Sequence, residues 1–543
     1  MKKKQLLTAL LAVVMAAGLL FGGCQKDPAT ESSEAAESTA STTAADSVDS
    51  GEPDSADQSA EEDSSAEDSG AATTAEESKN SGKNTTKRTS ASTKQTGVVA
   101  EVDKYDTDGL KTVDMKGYTL KIALTSKSLI KNMRKKGDKD YTEPNEVTQL
   151  RYNALEKVEK RFNCTVTPVY YEPGKLSQTY SQAIMVSATN SVPQVILGSM
   201  WEAGNMMSAK LLTDFGQLKN VDMSKPWWNK AMAEGSKIGG KTYLGLSNIT
   251  DPDVRSWYIA YNKKIAKSIG LTDAVLSDMV KNKTWTVDNF IAWSKKAVKD
   301  KNGDGKFTEK DQWGFAAPGT DFIYAMMASG GASFVDVDKS GKRVYGLNND
   351  NAISVLEKIN KIMCTEGIRY PVANNKDQMA AGTDGKVLFW GYQANAILSS
   401  IREEGDIGIL PMPIGGNRKD YEALVDHNCP VSMIPMTTKD LDKVGTLLEA
   451  MSFAYWKLIP ERLELYKELY LEEGDTLSLS VVGGVFDRMN CYAWEFDNTS
   501  AFLKSTVQPI LTACTKANAD ISGTVAAIKN PSQATINNFY GQK

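Results

Sequence analysis

The hydrophobic pattern divides the chain into three parts. An apolar run over residues 6–21, interrupted only by small residues, follows three lysines at the start of the chain. Residues 27–78 contain no lysine, arginine or aromatic residue, and Val48 is the only branched aliphatic residue among them. From about residue 115 onward, apolar residues recur with the periods of strands and helices. The pattern therefore predicts an export segment, a tether without a core and a large folded part.

The folded part alternates between strand-like and helix-like segments. Tyr118–Leu124 alternates polar and apolar positions before it becomes wholly apolar, which predicts an opening strand. Apolar residues in 148–162 recur at helical spacing, and 165–171 predicts a second strand. The short apolar run 193–198 predicts a buried strand, with Trp201 in the loop that follows. This alternation, over about 430 residues, predicts an α/β fold with parallel strand pairing and two lobes instead of one core.

The start of the chain has the parts of an export signal. The apolar run behind the three lysines is shorter than a comfortable membrane span. It ends in Phe21-Gly22-Gly23-Cys24, which resembles the lipobox of bacterial lipoproteins, with Phe where Leu is usual. The resemblance implies that residues 1–23 are removed and that Cys24 is lipidated, which attaches the protein to the extracellular face of the cytoplasmic membrane. The alternative is an ordinary signal peptide that leaves this cysteine as a free thiol.

Residues 24–114 are predicted to be a disordered linker. Residues 27–78 carry sixteen Asp and Glu among Ser, Thr and Ala, and such a composition cannot bury enough apolar surface to offset the entropy of ordering. We expect a solvated spacer; the alternative, an acidic segment that binds a cationic partner, has no motif behind it. The acidic excess behind the formal net charge of −5 lies mostly in this linker, so we expect the folded part to be close to neutral or slightly basic. Its basic residues are scattered, which disfavours nucleic acid as a partner.

The cysteine and histidine content restricts the chemistry. Five cysteines follow Cys24 without any Cys-x-x-Cys pair, which disfavours a disulfide framework and a zinc site, although a bridge or two among them is left open. His427 is the single histidine, so catalysis by a Ser-His-Asp or Cys-His arrangement would depend on that one residue.

Residues 300–311 have the spacing of a calcium-binding loop. Side-chain oxygens fall at loop positions 1, 3, 5, 9 and 12, a carbonyl stands at position 7, and Gly305 provides the sharp turn at position 6. The predicted ligands are Asp300, Asn302, Asp304, the carbonyl of Lys306, Thr308 and Asp311. Position 12 is usually Glu, and the shorter Asp weakens the expected affinity. We expect a structural Ca²⁺ in a lone loop; the alternative is a metal-free turn rich in Asp and Gly.

Residues 235–242 satisfy the P-loop pattern literally. A phosphate-binding loop of that kind must follow a strand and open a helix, so that its amide groups face the phosphates. Here a helix-like segment, 227–234, comes first, and the residues after Lys241 have an extended pattern. The motif therefore predicts a glycine turn into a strand and not a nucleotide site.

Several short segments, in matching order, resemble the extracellular solute-binding proteins, which are the capture subunits of ATP-driven (ABC) importers, and in particular their carbohydrate branch. The segments are Pro193-Gln-Val-Ile-Leu with Leu211-Leu-Thr-Asp-Phe, Ile238-Gly-Gly-Lys-Thr-Tyr, Trp257-Tyr-Ile-Ala-Tyr-Asn-Lys, Lys283-Thr-Trp-Thr-Val-Asp-Asn-Phe, Gly385-Lys-Val-Leu-Phe-Trp and Asp406-Ile-Gly-Ile-Leu-Pro-Met-Pro. The segment Leu479-Ser-Val-Val-Gly-Gly departs from the pattern, because the family often has proline there.

The resemblance implies a periplasmic-binding-protein-like α/β fold, in which two lobes joined by crossing segments close on a ligand in the cleft between them. It places the crossings near residues 251–257, near residues 425–430 and after about Glu472. The implied boundaries are 115–252 with 428–472 for lobe 1, and 253–427 with 473–543 for lobe 2.

The resemblance also implies a receptor that binds a carbohydrate, with oligosaccharides favoured, and presents it to ABC permease subunits without catalysing a reaction. Sugars pack their C–H faces on aromatic rings and pair their hydroxyls with polar side chains. The predicted ligand-binding residues are Trp201, Glu202, Trp257, Asp321, Trp390, Tyr392, His427 and Asn428. Packing in the core is the alternative for each aromatic residue. We expect the protein to be a monomer.

Two other functions stay open at this point. The first is a surface-anchored glycoside hydrolase, whose two carboxylates need no histidine, although no carboxylate pair stands in a recognisable motif. The second keeps the fold but senses a ligand for a signalling partner, or binds peptides.

Overall fold

The computed structural model describes residues 98–131, 133, 145–188, 190–317, 319–372, 375–404, 406–471, 475–484, 489–490 and 500–542. The export signal, Cys24, most of the linker and Glu472 lie outside the described residues. Among the residues that are described, no helix is long and apolar enough to cross a membrane.

The strands alternate with helices along the chain. In chain order, the described strands are β1 (Tyr118–Leu124), β2 (Cys164–Tyr170), β3 (Val195–Ser199), β4 (Lys237–Ile238), β5 (Lys241–Thr242), β6 (Trp257–Asn262), β7 (Trp313–Ala316), β8 (Val335–Val337), β9 (Arg343–Tyr345), β10 (Arg369–Tyr370), β11 (Val387–Gln393), β12 (Ile407–Leu410), β13 (Ala423–Leu424), β14 (Pro430–Met433) and β15 (Met489–Asn490).

The helices fill the intervals between them, and a π-helical turn at Ser177–Ser181 precedes the fourth. In chain order, the described helices are α1 (Val98–Val102), α2 (Lys127–Lys131), α3 (Glu146–Phe162), α4 (Gln182–Met185), α5 (Met200–Ser208), α6 (Lys230–Gly235), α7 (Lys263–Ser268), α8 (Asp273–Lys281), α9 (Val287–Ala297), α10 (Gly319–Ser329), α11 (Asp350–Cys364), α12 (Asn375–Thr383), α13 (Ala394–Glu404), α14 (Leu441–Trp456), α15 (Ile459–Tyr470), α16 (Thr476–Gly484), α17 (Ser500–Phe502), α18 (Gln508–Thr515) and α19 (Ile521–Tyr540).

Helix boundaries follow from short polar residues. Asn145 begins α3 because its side chain accepts a hydrogen bond from the amide of Thr148 at 2.8 Å, which satisfies an amide that has no partner inside the helix. Asn163 ends the same helix in the left-handed conformation, with φ of 48°, which asparagine tolerates better than most residues. The chain then enters β2 directly.

The first sheet has the strand order β14-β3-β1-β2. β2 and β3 pair parallel to β1, whereas β14 returns from much later in the chain and pairs antiparallel to β3. Leu120, Ile122 and Leu124 on β1 are fully buried. These three residues share one face of the strand, which is covered along its length, whereas the opposite face is exposed at Thr119 and Lys121 and buried only at Ala123.

The second sheet has the strand order β10-β7-β11-β6-β12. β10, β7 and β11 are parallel, and β6 runs antiparallel to both of its neighbours. The six residues of β6 are all buried. On the core side, Phe290 of α9 stacks on Phe389 of β11 with ring centroids 5.1 Å apart. Both sheets mix strands with covering helices, so the predicted α/β class is confirmed.

Three stretches of the described chain connect the two sheets. Residues 251–256, the first crossing, lead into β6, and residues 425–429, the second crossing, lead from β13 back to β14. An antiparallel bridge between Ser256 and Val425 joins these two crossings. The third connection is α15, which contacts both α3 and α13. The elements on the first sheet are called lobe 1 below, and those on the second sheet lobe 2.

Residues 98–114, predicted to be part of the linker, pack on lobe 1. The Tyr105 ring lies edge-on to Trp227 and Trp456, with centroids 5.6 and 5.8 Å away. Asp108 forms an ion pair with Arg161 at 2.6 Å. The folded part therefore begins earlier than residue 115.

Two local predictions have clear outcomes. Residues 237–242 form the hairpin β4–β5, whose turn residues Gly239 and Gly240 have φ of 58° and 79°, so the P-loop-like motif is indeed a glycine turn. The prediction that Trp201 lies in a loop is wrong. Trp201 lies in the first turn of α5, because helical structure begins directly after β3. Cys364, Cys429 and Cys514 are free thiols, Cys164 is buried, and Cys491 lies outside the described residues.

Candidate functional site

Polar and aromatic side chains from both lobes meet at the second crossing. Lobe 1 contributes the start of α5, directly after β3 ends. Lobe 2 contributes the start of β6 and the first turns of α10. The side chains that meet there, the cleft cluster, are Trp201, Trp257, Asp321, Tyr324, Asp426, His427 and Asn428.

Trp201 of lobe 1 is held by the second crossing. Its indole Nε1 donates to Oδ1 of Asn428 at 3.0 Å, and its backbone amide donates to the carbonyl of His427 at 3.4 Å. A Cβ added at Gly174 would lie 3.5 Å from the indole, so the loop after β2 lies against this ring. The ring is half-buried, so part of its surface is accessible to solvent.

Asp426 links that contact to lobe 2. Its buried carboxylate accepts a hydrogen bond from the indole Nε1 of Trp257 at 2.7 Å and from the amide of Asn428 at 2.8 Å. Hydrogen bonds to an ionised acceptor are about twice as strong as neutral ones. The four residues Trp257, Asp426, Asn428 and Trp201 thus form a continuous chain from lobe 2 to lobe 1, called the indole relay below.

Asp321 and His427 form a second polar contact beside the relay. Oδ1 of Asp321 lies 3.9 Å from Nδ1 of His427, and the Tyr324 ring lies edge-on to the imidazole, with centroids 6.2 Å apart. Burial raises the pKa of Asp321, and the positive charge of a protonated His427 opposes that rise. Carboxylate and imidazole groups in this position can accept and donate hydrogen bonds to the hydroxyls of a ligand.

Glu202 follows Trp201 but is buried beneath the loop after β2. One of its oxygens accepts a hydrogen bond from the amide of Leu176 at 3.0 Å, and the other, Oε2, has no hydrogen-bond partner among the described residues. Burial raises the pKa of Glu202 to about 7, against the opposing effect of backbone donors. The residue anchors the loop that covers Trp201 instead of facing the cleft itself.

The remaining predicted aromatics differ from one another. Trp390 is fully buried, and a Cβ added at Gly382 of α12 would lie 2.5 Å from its ring, so the structure places Trp390 in the core of lobe 2 and does not bring it to the cleft cluster. Tyr392 is half-buried, and its ring lies edge-on to Trp257 with centroids 6.0 Å apart. Trp257 itself is only 1% exposed and supports the cluster from behind.

Comparison with known proteins identifies the family. The sequence signature of the bacterial extracellular solute-binding proteins matches residues 142–449, more than half of the chain. The chain belongs to this family. Curated protein sequences give no match.

Solved structures show the fold of this solute-binding protein. The cyclic alpha-maltosyl-1,6-maltose binding protein of Arthrobacter globiformis aligns with a TM-score of 0.51 at 11% identity, over 78% of this chain and 100% of that one. UspC of M. tuberculosis aligns with a TM-score of 0.50 at 10% identity, over 77% of this chain and 100% of that one. The predicted two-lobed, periplasmic-binding-protein-like fold is confirmed.

Two cluster residues of this solute-binding protein were missed in the sequence. Asp426 directly precedes His427, and its place in the relay depends on Trp257, which is 169 positions away. Tyr324 stands three residues after Asp321, and such neighbours share one face of a helix. That spacing was the available signal, but a tyrosine on a buried helix face looks like any core residue.

The calcium-like loop of the solute-binding protein is closed on itself. The Asp300 carboxylate accepts hydrogen bonds from the amides of Gly303 and Gly305 at 2.6 and 2.8 Å. Asp311 accepts from the amides of Thr308 and Lys301, which lowers its pKa and keeps it ionised. Within the described residues, no group of three or more His, Cys, Asp or Glu side chains is arranged to hold a metal ion.

The oxygen donors of that loop nevertheless suit calcium in kind, since calcium takes carboxylate, amide and carbonyl oxygens in a flexible loop. In the described conformation they bond to loop amides instead of converging on one centre. Calcium binding at Asp300, Asn302, Asp304, Lys306, Thr308 and Asp311 therefore stays a prediction.

Proposed function

We propose that this protein is a lipid-anchored receptor that captures a carbohydrate, most favourably an oligosaccharide, outside the cell and presents it to an ABC permease. The observation that carries the proposal is the indole relay. It joins an aromatic ring of each lobe through a crossing segment, beside the polar pair Asp321 and His427. The Arthrobacter globiformis relative is named for binding a cyclic maltosyl-maltose, which supports the same ligand class.

Binding would use two kinds of contact. The exposed part of the Trp201 ring, and the half-buried ring of Tyr392 beside Trp257, would provide flat apolar surface for the C–H faces of sugar rings. Asp321, His427 and Asn428 provide partners for hydroxyl groups. Closure of the lobes would bury both faces of the ligand, which is how most small-molecule sites gain affinity.

The proposal includes no reaction. Among the carboxylates near the cleft, Asp426 is occupied by an indole and an amide, and Glu202 is buried under a loop. Asp321 is then left as one accessible carboxyl group of the cleft cluster, whereas a hydrolase places the glycosidic bond between two.

Attachment and partners complete the proposal. Lipidation at Cys24 would hold the protein, as a monomer, at the extracellular face of the membrane, with the linker extending the lobes away from the surface. Calcium in the 300–311 loop would have a structural role, because the loop lies outside the cleft cluster.

Binding assays on the unlipidated chain test the proposed function. Calorimetric titration with monosaccharides, neutral oligosaccharides of increasing length and peptides identifies the ligand class, and chromatography of the recovered glycan detects cleavage. Trp201→Ala should weaken glycan binding at least tenfold, because the stacking surface is lost. Trp293→Ala is the matched control, since this half-buried indole packs on Lys296 of α9, outside the cleft cluster. Binding of peptides alone, or cleavage of the glycan, would overturn the proposal.

A further inference from the structure

The hairpin β8–β9 of lobe 2 reaches across to lobe 1. Nη2 of Arg343, at the start of β9, donates to the carbonyl of Glu234 and, at 3.4 Å, to the carbonyl of Gly235. Both carbonyls belong to the last turn of α6 in lobe 1. The last carbonyls of a helix lack partners within it and carry partial negative charge, so a guanidinium is well matched to this position.

The backbone of Arg343 is fixed by the C-terminal segment of the chain. Gln542 accepts a hydrogen bond from its amide at 2.6 Å and donates one to its carbonyl at 2.9 Å. Gln533 of α19 donates to the same carbonyl at 3.2 Å. The guanidinium carbon lies 5.4 Å from the ring centroid of Tyr540. The end of α19 therefore aims this arginine at lobe 1.

An apolar contact accompanies the polar one. Phe539, next to Tyr540 on α19, packs against the hydrophobic cluster of lobe 1 that contains Met232 and Leu246. Met232 lies on α6, the helix whose end Arg343 contacts. Arg343 and Phe539 of lobe 2 thus both contact lobe 1, and neither residue belongs to a crossing.

We infer that Arg343 is a positioning residue for lobe closure: together with Phe539 it forms an interlobe latch that holds the two lobes together and slows the release of ligand. Only the effect on ligand release rests on the proposed function; the contact between the lobes does not. The side chain of Arg343 is half-buried, so water can replace the carbonyls when the lobes part. A contact of this kind is easily remade, which suits a latch and not a permanent joint.

The first test needs no ligand. In the full chain, spin labels carried by unnatural amino acids at Lys157 of lobe 1 and Glu357 of lobe 2, both exposed, report the interlobe distance by pulsed electron resonance. Arg343→Ala should broaden the distribution toward longer distances, and Arg343→Lys should restore it in part. Lys339→Ala, at the exposed tip of the same hairpin, is the matched control. A distribution unchanged in Arg343→Ala overturns the latch.

The second test uses maltotriose as the probe, with tryptophan fluorescence in a stopped-flow instrument. The dissociation rate should rise about tenfold in Arg343→Ala and in Phe539→Ala, with little change in the association rate. Distances that lengthen while the dissociation rate stays constant overturn the role in ligand retention. If the native chain binds no glycan, the proposed function fails. The distance measurement then still shows whether Arg343 holds the two lobes together.

Discussion

The first and second crossings lie side by side but are held in different ways. At the first crossing, Arg462 of α15 pairs with Asp253 at 2.9 Å and with Asp251 at 3.0 Å, and Arg462 and Asp253 are fully buried. Arg151 of α3 also pairs with Asp251. At the second crossing, the buried carboxylate of Asp426 takes indole and amide donors instead.

The difference indicates that the first crossing has a structural role and that the second responds to a ligand. Opposite charges buried together fix a geometry strongly, because losing either partner leaves an uncompensated charge in the interior. Hydrogen bonds to an indole and an amide are weaker, so the second crossing can respond to what contacts its half-buried residues, His427 and Asn428. We infer that the first crossing keeps the lobes connected, whereas the second reports the ligand to both lobes.

The largest expected effect comes from breaking the charged joint. Arg462→Ala should lower the free energy of unfolding by about 3–5 kcal/mol, because Asp253 is left buried without its partner. Urea denaturation followed by circular dichroism measures this loss. Lys219→Ala is the control: its pair with Asp442 is exposed on both sides, so the loss should stay below about 1 kcal/mol. Equal losses in the two variants would contradict the buried joint.

A second carboxylate that is paired with indoles lies away from the crossings, and the pH dependence of stability tests how such a pairing behaves. Glu449 of α14 accepts hydrogen bonds from the indoles of Trp227 and Trp228 at 2.9 and 2.8 Å, and burial raises its pKa from 4.5 to about 7. The folded state thus binds this proton more tightly than the unfolded chain does. Its contribution to stability is complete below pH 4.5 and is lost as the pH rises through about 7.

Native protein should therefore lose on the order of 2 kcal/mol of stability, relative to Glu449→Gln, between about pH 5 and pH 8. Denaturation curves of both proteins at each pH isolate this group, because other buried carboxyls, Glu202 included, contribute equally to both. A difference between the two proteins that does not change with pH would mean that Glu449 stays ionised in its indole cluster.

Breaking the relay should have a moderate effect on stability and a larger one on binding. In Asp426→Asn, one of the two donors meets an amide NH₂ group, so the free energy of unfolding should fall by about 1–2 kcal/mol. Glycan affinity should fall further in Asp426→Asn than in the control variant Asp384→Asn, because both indoles lose their orientation in the first. Asp384 is exposed. If calorimetry gives a native-like glycan affinity for Asp426→Asn, then Asp426 stabilises the fold and does not contribute to ligand binding.

The smallest effect is expected from calcium. Asp stands at the last ligand position, so the affinity should be weak, and 1 mM Ca²⁺ should add only about 1 kcal/mol to the stability. Thermal unfolding with and without calcium measures the shift, and Asp300→Asn should abolish it. Mg²⁺ serves as the control cation. A shift that persists in Asp300→Asn would place calcium elsewhere in the protein.

Much of the fold could be predicted from local patterns. The opening strand, the helix after it and the glycine turn at residues 239–240 were each placed within a few residues of where they lie. The period of apolar residues and the special backbone freedom of glycine act within a few residues, so they are visible in the sequence.

The candidate site was only partly predictable. Trp201 and Trp390 had the same standing in the sequence, as aromatic residues beside predicted strands. Trp390 lies beneath Gly382 in the core, whereas Trp201 hydrogen-bonds Asn428, 227 positions away. No local pattern distinguishes these outcomes, because each is decided by the element that packs against the ring.

The sequence by itself determined the strand and helix order, the family and the kind of residues near the crossings. Only the tertiary structure decided which carboxylates are paired with arginine and which with indole, and that Arg343 reaches lobe 1. These pairings join segments more than 100 positions apart. Burial then fixes them, since a charge or polar group removed from water must find whichever partner the fold brings near.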